Sequence, residues 1–539
     1  MSLRRYDQVW LTVVLAVASS TGWCPQVHGQ QGLEQLSTPA KSEPLSSPST
    51  AIPKKEGKPL PPKNSHPVRP LPRPKPGEKK PVHDGALQSK PKGPTASLNV
   101  VLPNPFDGVG EHLDYSSPVD PADTVGAVGP TQYVQWVNQA IGVFDKKTGD
   151  LVGHVADGKT LWSKLGGPCA TYNDGDPIVL YDRSVERWIL SQFAVSGGES
   201  NNPDKPYVQC VAVSTTPDAT GAYFLYAFNF ENLNDYGKMA VWPDAYYAAF
   251  NMFKHTLPDP NDTKYTFLGA RACALEKAKM VSGDPAHMKC FDLPSAEGLL
   301  PSDNDGSSPP PDGSPNYFLG LDLDNARLNM WTFHVNWNDV SSSALVGPTP
   351  IQVASFNLAP DNIPQPKTSE PLQSMGDRLM FRLAYRRFSD HESLVATHAV
   401  GIGTSAGVRW YEIRNLQAAP QVFQQGTVAP DGTSRWLSSA AMDKAGNILI
   451  GYSASSLKIL PSIMISGRET ADPLGTVRAE QNVLASQRSQ TNSNRWGDYS
   501  SVTVDPDDDC TFYFGTEYLE PQKANWSTKV LKIRFTTCN

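Results

Sequence analysis

The chain has 539 residues, with 47 Lys and Arg against 54 Asp and Glu and a formal net charge of −7. That length exceeds one ordinary domain, although closed all-β folds run past the usual size as single units. The acidic balance excludes a nucleic-acid partner, whose phosphates would be repelled, and no stretch approaches the roughly 18 apolar residues that a membrane-spanning helix needs.

Residues 1–29 carry Arg4 and Arg5, an apolar run from Val9 to about Val17, and a Val27-His28-Gly29 step that resembles a small-residue cleavage site. This predicts a secretory signal peptide, and with it an extracellular or periplasmic location, secreted or in the cell envelope. Cys24 follows the bulky Trp23, which argues against lipidation. Residues 30–100 are rich in proline among Lys, Arg and Ser. Such a stretch buries no core and is expected to be a disordered, semi-rigid linker. Between 37 and 96 it holds twelve Lys or Arg against four Asp or Glu, so residues 97–539 carry −15. A basic spacer ahead of an acidic body could contact an anionic cell surface.

Residues 101–539 hold a recurring pattern: an apolar strand that starts near Gly or Asp, a polar turn, and a second apolar strand. It occurs as DTVGAVGPTQYVQWVN from Asp123, DPIVLYDRSVERWILSQF from Asp176, YGKMAVWPDAYYAAFNMF from Tyr236, GDRLMFRLAYRRFSDHESLVATHAV from Gly376 and RWLSSAAMDKAGNILIGYS from Arg435. RWGDYSSVTVDPDDDCTFYFGTEY, from Arg495, is the last copy. Starts at 123, 176, 236, 377, 435 and 496 leave intervals of 53, 60, 141, 58 and 61, so one interval spans two repeats. A degraded copy is expected near 300–350, where LLPSDNDG, YFLGLDLD and LNMWTFHVNW supply strands. Further apolar runs follow each hairpin, and helical periodicity is nearly absent. Four strands per repeat of about 60 residues predict an all-β, seven-bladed β-propeller. A linear array of β-sandwiches is the competing architecture. In the last repeat, the turn from Asp505 to Asp509 is expected to project into solvent.

Without Cys24, six cysteines remain, as neighbouring couples: Cys169 and Cys210, Cys273 and Cys290, Cys510 and Cys538. Six allow fifteen pairings; the grouping favours three local disulfides in an oxidising compartment. A metal site built on them is not expected, because no Cys-x-x-Cys occurs and the histidines do not cluster nearby.

The segments NDGDPIVLYDRSVERWILSQF, VWPDAYYAAFNMF, GDRLMFRLAYRRFSDHESLVATHAV and NRWGDYSSVTVDPDDDCTFYFGTEY together resemble an uncharacterised family of secreted bacterial β-propeller proteins, over roughly residues 100–538. The resemblance implies no established activity. More distantly the architecture looks like that of sialidase-type propellers, but their Ser-x-Asp-x-Gly-x-x-Trp box is missing and VAPDGTSRW only echoes it.

Two motifs are read as decoys. Gly403 to Gly407, GTSAG, fits a nucleophile-elbow expression, yet it joins strand to strand, which places Ser405 in a hairpin turn. His391, Glu392 and His398 lack the four-residue spacing of a metalloprotease helix. No cofactor is expected beyond a structural calcium, to which DNDG (303–306) and the 505–509 turn could present oxygens.

In a propeller the first strand of each blade lines the channel, so equivalent strand starts meet at one mouth. Those positions hold Asp123, Asp176, Lys238, Asp377, Arg378, Arg435, Arg495 and Asp498, with Trp436 and Trp496 beside two of the arginines. Arginines offer planar donors to carboxylate or sulfate, and paired carboxylates could act as acid and base. The leading reading is a monomer that binds an extracellular polysaccharide or protein at this mouth, not an enzyme. The alternative is a glycan-cleaving hydrolase or lyase in which Arg378, Arg435 and Arg495 clamp a carboxylate, Asp123 or Asp176 is the acid and Tyr499 the nucleophile. A structural role in the envelope is the third reading. Against all three, the charges could simply pair with one another and hold the strands in register.

Overall fold

The computed structural model describes residues 27–28, 32–52, 64–65, 71–73, 82–88, 97–115, 119–195, 207–255, 265–523 and 525–539. The expected signal peptide, apart from Val27 and His28, lies outside the described residues.

The described chain is all-β, with almost no helix, its strands arranged in antiparallel meanders that pack on both faces. Each meander opens on an inner strand: β1 (Thr124–Val128), β2 (Ile178–Asp182), β3 (Leu233–Val241), β4 (Leu300–Asp305), β5 (Met380–Arg387), β6 (Ser434–Met442) and β7 (Ser501–Val504). The next two or three strands pair outward in chain order. Each inner strand touches the next, and β7 returns to touch β1. This closed, propeller-like circuit replaces the linear array of sandwiches. The degraded copy falls where expected, as β4 followed by Asn316–Asp322, Arg327–His334 and Ala344–Gln352. Its inner strand pairs parallel with β5, Ser302 opposite Leu383 through Asp305 opposite Arg386, which joins two meanders into one 11-stranded sheet.

Adjacent sheets pack face to face through apolar side chains. Leu449, Ile463 and Ile465 of the sixth meander meet Val502, Phe512, Phe514 and Ile533 of the seventh. At Gly451 a Cβ would lie 2.6 Å from the Phe514 ring, so only glycine lets the sheets approach this closely there. The three disulfides are those of the neighbouring couples, Cys169–Cys210, Cys273–Cys290 and Cys510–Cys538. The last fixes the end of the chain at the closure of the circuit and is worth about 2–4 kcal/mol. No helix among the described residues is long and apolar enough to cross a membrane.

Where it is described, the proline-rich segment is part of the fold rather than a free spacer. Glu34–Ser37 adds to the outer edge of the third meander, Ala40–Lys41 to the second, and Ala51 bridges to Ala156 in the first. Leu87–Gln88 lies parallel to Gln421–Val428 of the fifth, Ser97 bridges to Ala479 beside the sixth, and Val100–Val101 and Phe106–Asp107 pair with Ser527–Phe535 of the seventh. Outer strands present unpaired N–H and C=O groups, and these short strands satisfy them. Asp84 and Arg409, both buried, lock the segment in place through a 2.6 Å contact.

The 505–509 turn departs from expectation. Asp505 and Asp509 are buried and Asp507 is the exposed member. Lys146 Nζ lies 2.9 Å from Asp505 and 2.6 Å from Asp507, and Arg183 lies 2.9 Å from Asp509. The turn is therefore tied to the first two meanders by ion pairs. Asp303 and Asp305 likewise accept from Arg382. The carboxylates considered for calcium face cations, and among the described residues no three His, Cys, Asp or Glu side chains converge as a metal site.

Candidate functional site

The inner strands begin at one end of the circuit, here called the mouth. Asp123 immediately precedes β1, and Asp176 precedes β2 by one intervening residue, Pro177; both have left-handed backbone, φ 44° and 46°, which aspartate tolerates better than most residues. Tyr236 has φ 54°, an outlier for a bulky side chain, inside a bulge of β3 between Asp235 and Lys238. Bulges re-aim side chains, and this one delivers Lys238 to the hub with no exposed surface.

The hub is a buried charge cluster. Lys238 Nζ sits 3.5 Å from the centre of the Tyr236 ring and 3.9 Å from that of Tyr499. Asp176, Asp498 and Asp123 surround it electrostatically, yet burial outweighs them and pushes the ammonium down to about 8. Asp123 accepts from the Asp498 backbone N–H at 2.8 Å and from Asn138 Nδ2 at 3.2 Å. Burial, then the neighbouring Asp498 and Asp176, hold its carboxyl well above the usual range. Arg495 donates to Asp498 and, at 2.9 Å, to Gln373 Oε1. Arg378 Nε donates to Asp377 Oδ1 at 2.8 Å while its guanidinium lies 4.7 Å from the Tyr236 ring centre.

The clamp expected from three arginines is not formed. Arg378 is engaged by Asp377, Arg495 by Asp498, and Arg435 by Glu480 at the outer edge of its own sheet, at 2.6 and 2.8 Å. Trp436 and Trp496 are buried and pack on each other at 6.5 Å, Trp496 donating to Ser453 Oγ at 3.0 Å. Tyr499 is buried too; its hydroxyl donates to the Pro177 carbonyl at 2.9 Å, and burial with three nearby carboxylates raises it far above the ordinary phenol range. A phenol so placed is a poor nucleophile. Hub charges thus largely pair with one another, as the structural alternative anticipated. Ser405 lies in its hairpin turn, donating to the Ile402 carbonyl at 3.0 Å.

An opening lies beside the hub. A cleft of about 480 Å³ runs between the third and fourth meanders, lined by Pro72, Arg73, Glu297, Asp322, Asp324, Arg327, Asn329 and Trp331 among others. Asp322 accepts from Arg327 Nε at 2.9 Å and from the Asn325 backbone and side chain, and these donors hold its carboxyl below the usual range against the effect of burial. Glu297 is the opposite case: burial, then repulsion from Asp377, pushes it up to about 8. Trp331 forms a buried floor against Gly320 and Gly347.

Sequence reasoning missed this cleft. Glu297 stands in a connection outside every repeat, and Arg73 lies in a segment read as linker. The one available signal was the polar density of LDLDNARLNMW in the degraded copy, LDLDN running out of one strand and through the turn.

No protein-family model matches the chain, and no curated protein matches it. Among solved structures it is similar to a protein of unknown function from Dyadobacter fermentans, at 11% identity and TM-score 0.33, over 67% of this chain and 94% of that one. It is similar to Trypanosoma rangeli sialidase in complex with the inhibitor DANA, at 11% identity and TM-score 0.29, over 67% of this chain and 54% of that one. It is also similar to the phage phi92 endosialidase, at 10% identity and TM-score 0.35, over 77% of this chain and 66% of that one. Similarity of this size carries no activity across to the chain.

Proposed function

We propose that the chain is a secreted or envelope-associated, seven-bladed β-propeller that binds an extracellular polysaccharide or protein at its mouth, with the ligand in the cleft beside the hub. The observation that supports this most is the cleft itself, which opens where the inner strands begin and mixes carboxyl, amide and guanidinium groups with an indole floor. Such a mixture suits a polar, hydroxyl-rich ligand. The hub charges named from sequence support the cleft wall rather than touch ligand. Three disulfides fit an oxidising compartment.

The test is a glycan array and a panel of neutral and acidic polysaccharides, read by calorimetry on the purified protein. Asn325→Ala and Asp324→Ala, both at exposed positions on the cleft rim, should each weaken binding about tenfold, the cost of one lost hydrogen bond to a charged or polar ligand group. Binding that ignores both substitutions would place the ligand elsewhere.

Glycan cleavage is the second reading, and Glu297 favours it over the buried Asp123, Asp176 and Tyr499. A carboxyl held protonated near neutral pH beside an ionised Asp322 is the division of labour that glycoside hydrolysis needs. Release of reducing ends that disappears in Glu297→Gln, with binding retained, would establish it.

A further inference from the structure

One described stretch of the proline-rich segment, Leu71-Pro72-Arg73, reaches the mouth. Leu71 is buried and Pro72 lines the cleft. Arg73 donates Nε and Nη2 to Asp377 Oδ2, at 3.1 and 2.9 Å, and Nη1 to Asp361. Asp377 is fully buried, with its other oxygen on Arg378, whereas the Asp361 side chain is 63% exposed. Burial alone would raise Asp377, but Arg378 and Arg73 outweigh it and hold the carboxyl at about 2. With Arg73 in place the buried carboxylate of the seat is therefore ionised at neutral pH. The seat combines a fixed buried carboxylate, an exposed one and an open cleft alongside. Its present occupant is a guanidinium, delivered on a short proline-containing peptide.

We propose that the Asp377–Asp361 pair is a binding subsite for an arginine side chain of a partner polypeptide, filled in cis by Arg73 until the partner's arginine displaces it. Exchange of one guanidinium for another conserves the buried ion pair, so displacement forfeits only the contacts of Leu71 and Pro72. A lysine is a poorer substitute, since its ammonium lacks the planar fork with which Arg73 gives two N–H bonds to Asp377 and a third to Asp361. The charge difference between the basic segment and the acidic body favours a basic partner over an anionic one. The assignment does not depend on what the adjoining cleft binds.

The probe is the capped peptide acetyl-Leu-Pro-Arg-Pro-amide, its binding to the full chain followed by isothermal titration calorimetry. Because cis occupancy lowers apparent affinity by the fraction of open seats, Arg73→Ala should bind it about tenfold or more tightly than the wild type. The peptide with Ala for Arg should not bind, and adding Asp361→Asn to Arg73→Ala should weaken binding several-fold. Rising salt should weaken it as well, because one carboxylate of the seat is exposed. A folded Arg73→Ala chain that ignores the peptide, or equal binding by both proteins, overturns the proposal. Should Arg73→Ala fail to fold, Arg73→Lys serves instead: it keeps the cation but fits the seat less well, and no gain in peptide binding over the wild type would be equally decisive.

Discussion

The backbone N–H of Asp498 donates to the Asp123 carboxylate at 2.8 Å across 375 positions of sequence, and so ties the approach to β7 to the approach to β1. The closure of the circuit thus depends on a polar contact at the mouth as well as on the Cys510–Cys538 bond at the other end of β7.

Asp123→Ala leaves that N–H without its buried acceptor and the Asn138 amide with the Pro121 carbonyl as its remaining one, a loss of about 2 kcal/mol in urea unfolding. Asp123→Asn should be milder and depend on pH. The folded carboxyl sits above its unfolded value, so the native state holds the extra proton and wild-type stability falls as pH rises past 4. The asparagine variant lacks this loss, and its deficit should be smaller at pH 8 than at pH 5.

Arg382 holds the seam between β4 and β5. It donates Nε to Asp303 at 2.8 Å, and Nη1 and Nη2 to Asp305 at 2.8 and 2.6 Å, all buried. Arg382→Met strands two carboxylates in the interior and should cost about 3–5 kcal/mol in thermal unfolding. Combining it with Asp303→Asn and Asp305→Asn should restore a large part of the loss. A single variant as stable as the wild type would contradict the assignment.

His398 is neutral in the fold. Its Nδ1 donates to the Ala399 carbonyl at 3.0 Å and its Nε2 accepts from the Tyr411 hydroxyl at 2.8 Å, with Phe356 against one side and Arg409 nearby. Burial, then Arg409, pushes it down to about 3. The unfolded chain takes up the proton first, at about 6.5, so stability is lost as pH falls from there toward 3, by about 1.4 kcal/mol per unit. His398→Phe should lower stability at pH 8 and flatten this acid slope, measured as urea midpoints against pH.

Removing residues 1–52 uncovers the outer strands Ala286–Leu293 and Tyr223–Phe230. Bare edges pair with one another, so the truncated protein should run as a larger assembly than the full chain in size-exclusion chromatography with light scattering. A monodisperse truncated monomer would show that the edges need no cover.

The repeat was legible because its signals are local. In DTVGAVGPTQYVQWVN, alternation marks two strands and Gly-Pro marks the turn. Even the degraded copy at Leu300 could be placed, from an interval twice too long. The neighbouring cysteine couples foretold three disulfides for a similar reason, since 41, 17 and 28 residues separate partners within one or two meanders. Asp123, Asp176, Lys238 and Asp498 were also brought together as expected, because equivalent strand starts must meet in a closed circuit. Their burial was not foreseen. Nor was the route of the proline-rich segment, whose composition matches a spacer although Glu34–Ser37 and Leu87–Gln88 lie on sheet edges.

Alternation, turn residues and repeat spacing, all read over a few bonds, determined that this chain is an all-β repeat that closes on itself. Tertiary structure alone decided which charges are spent on one another, which outer edge each short strand covers, and where a cleft stays open. Those outcomes turn on distances between sheets, and a side chain's partner across such a gap leaves no trace in the residues beside it.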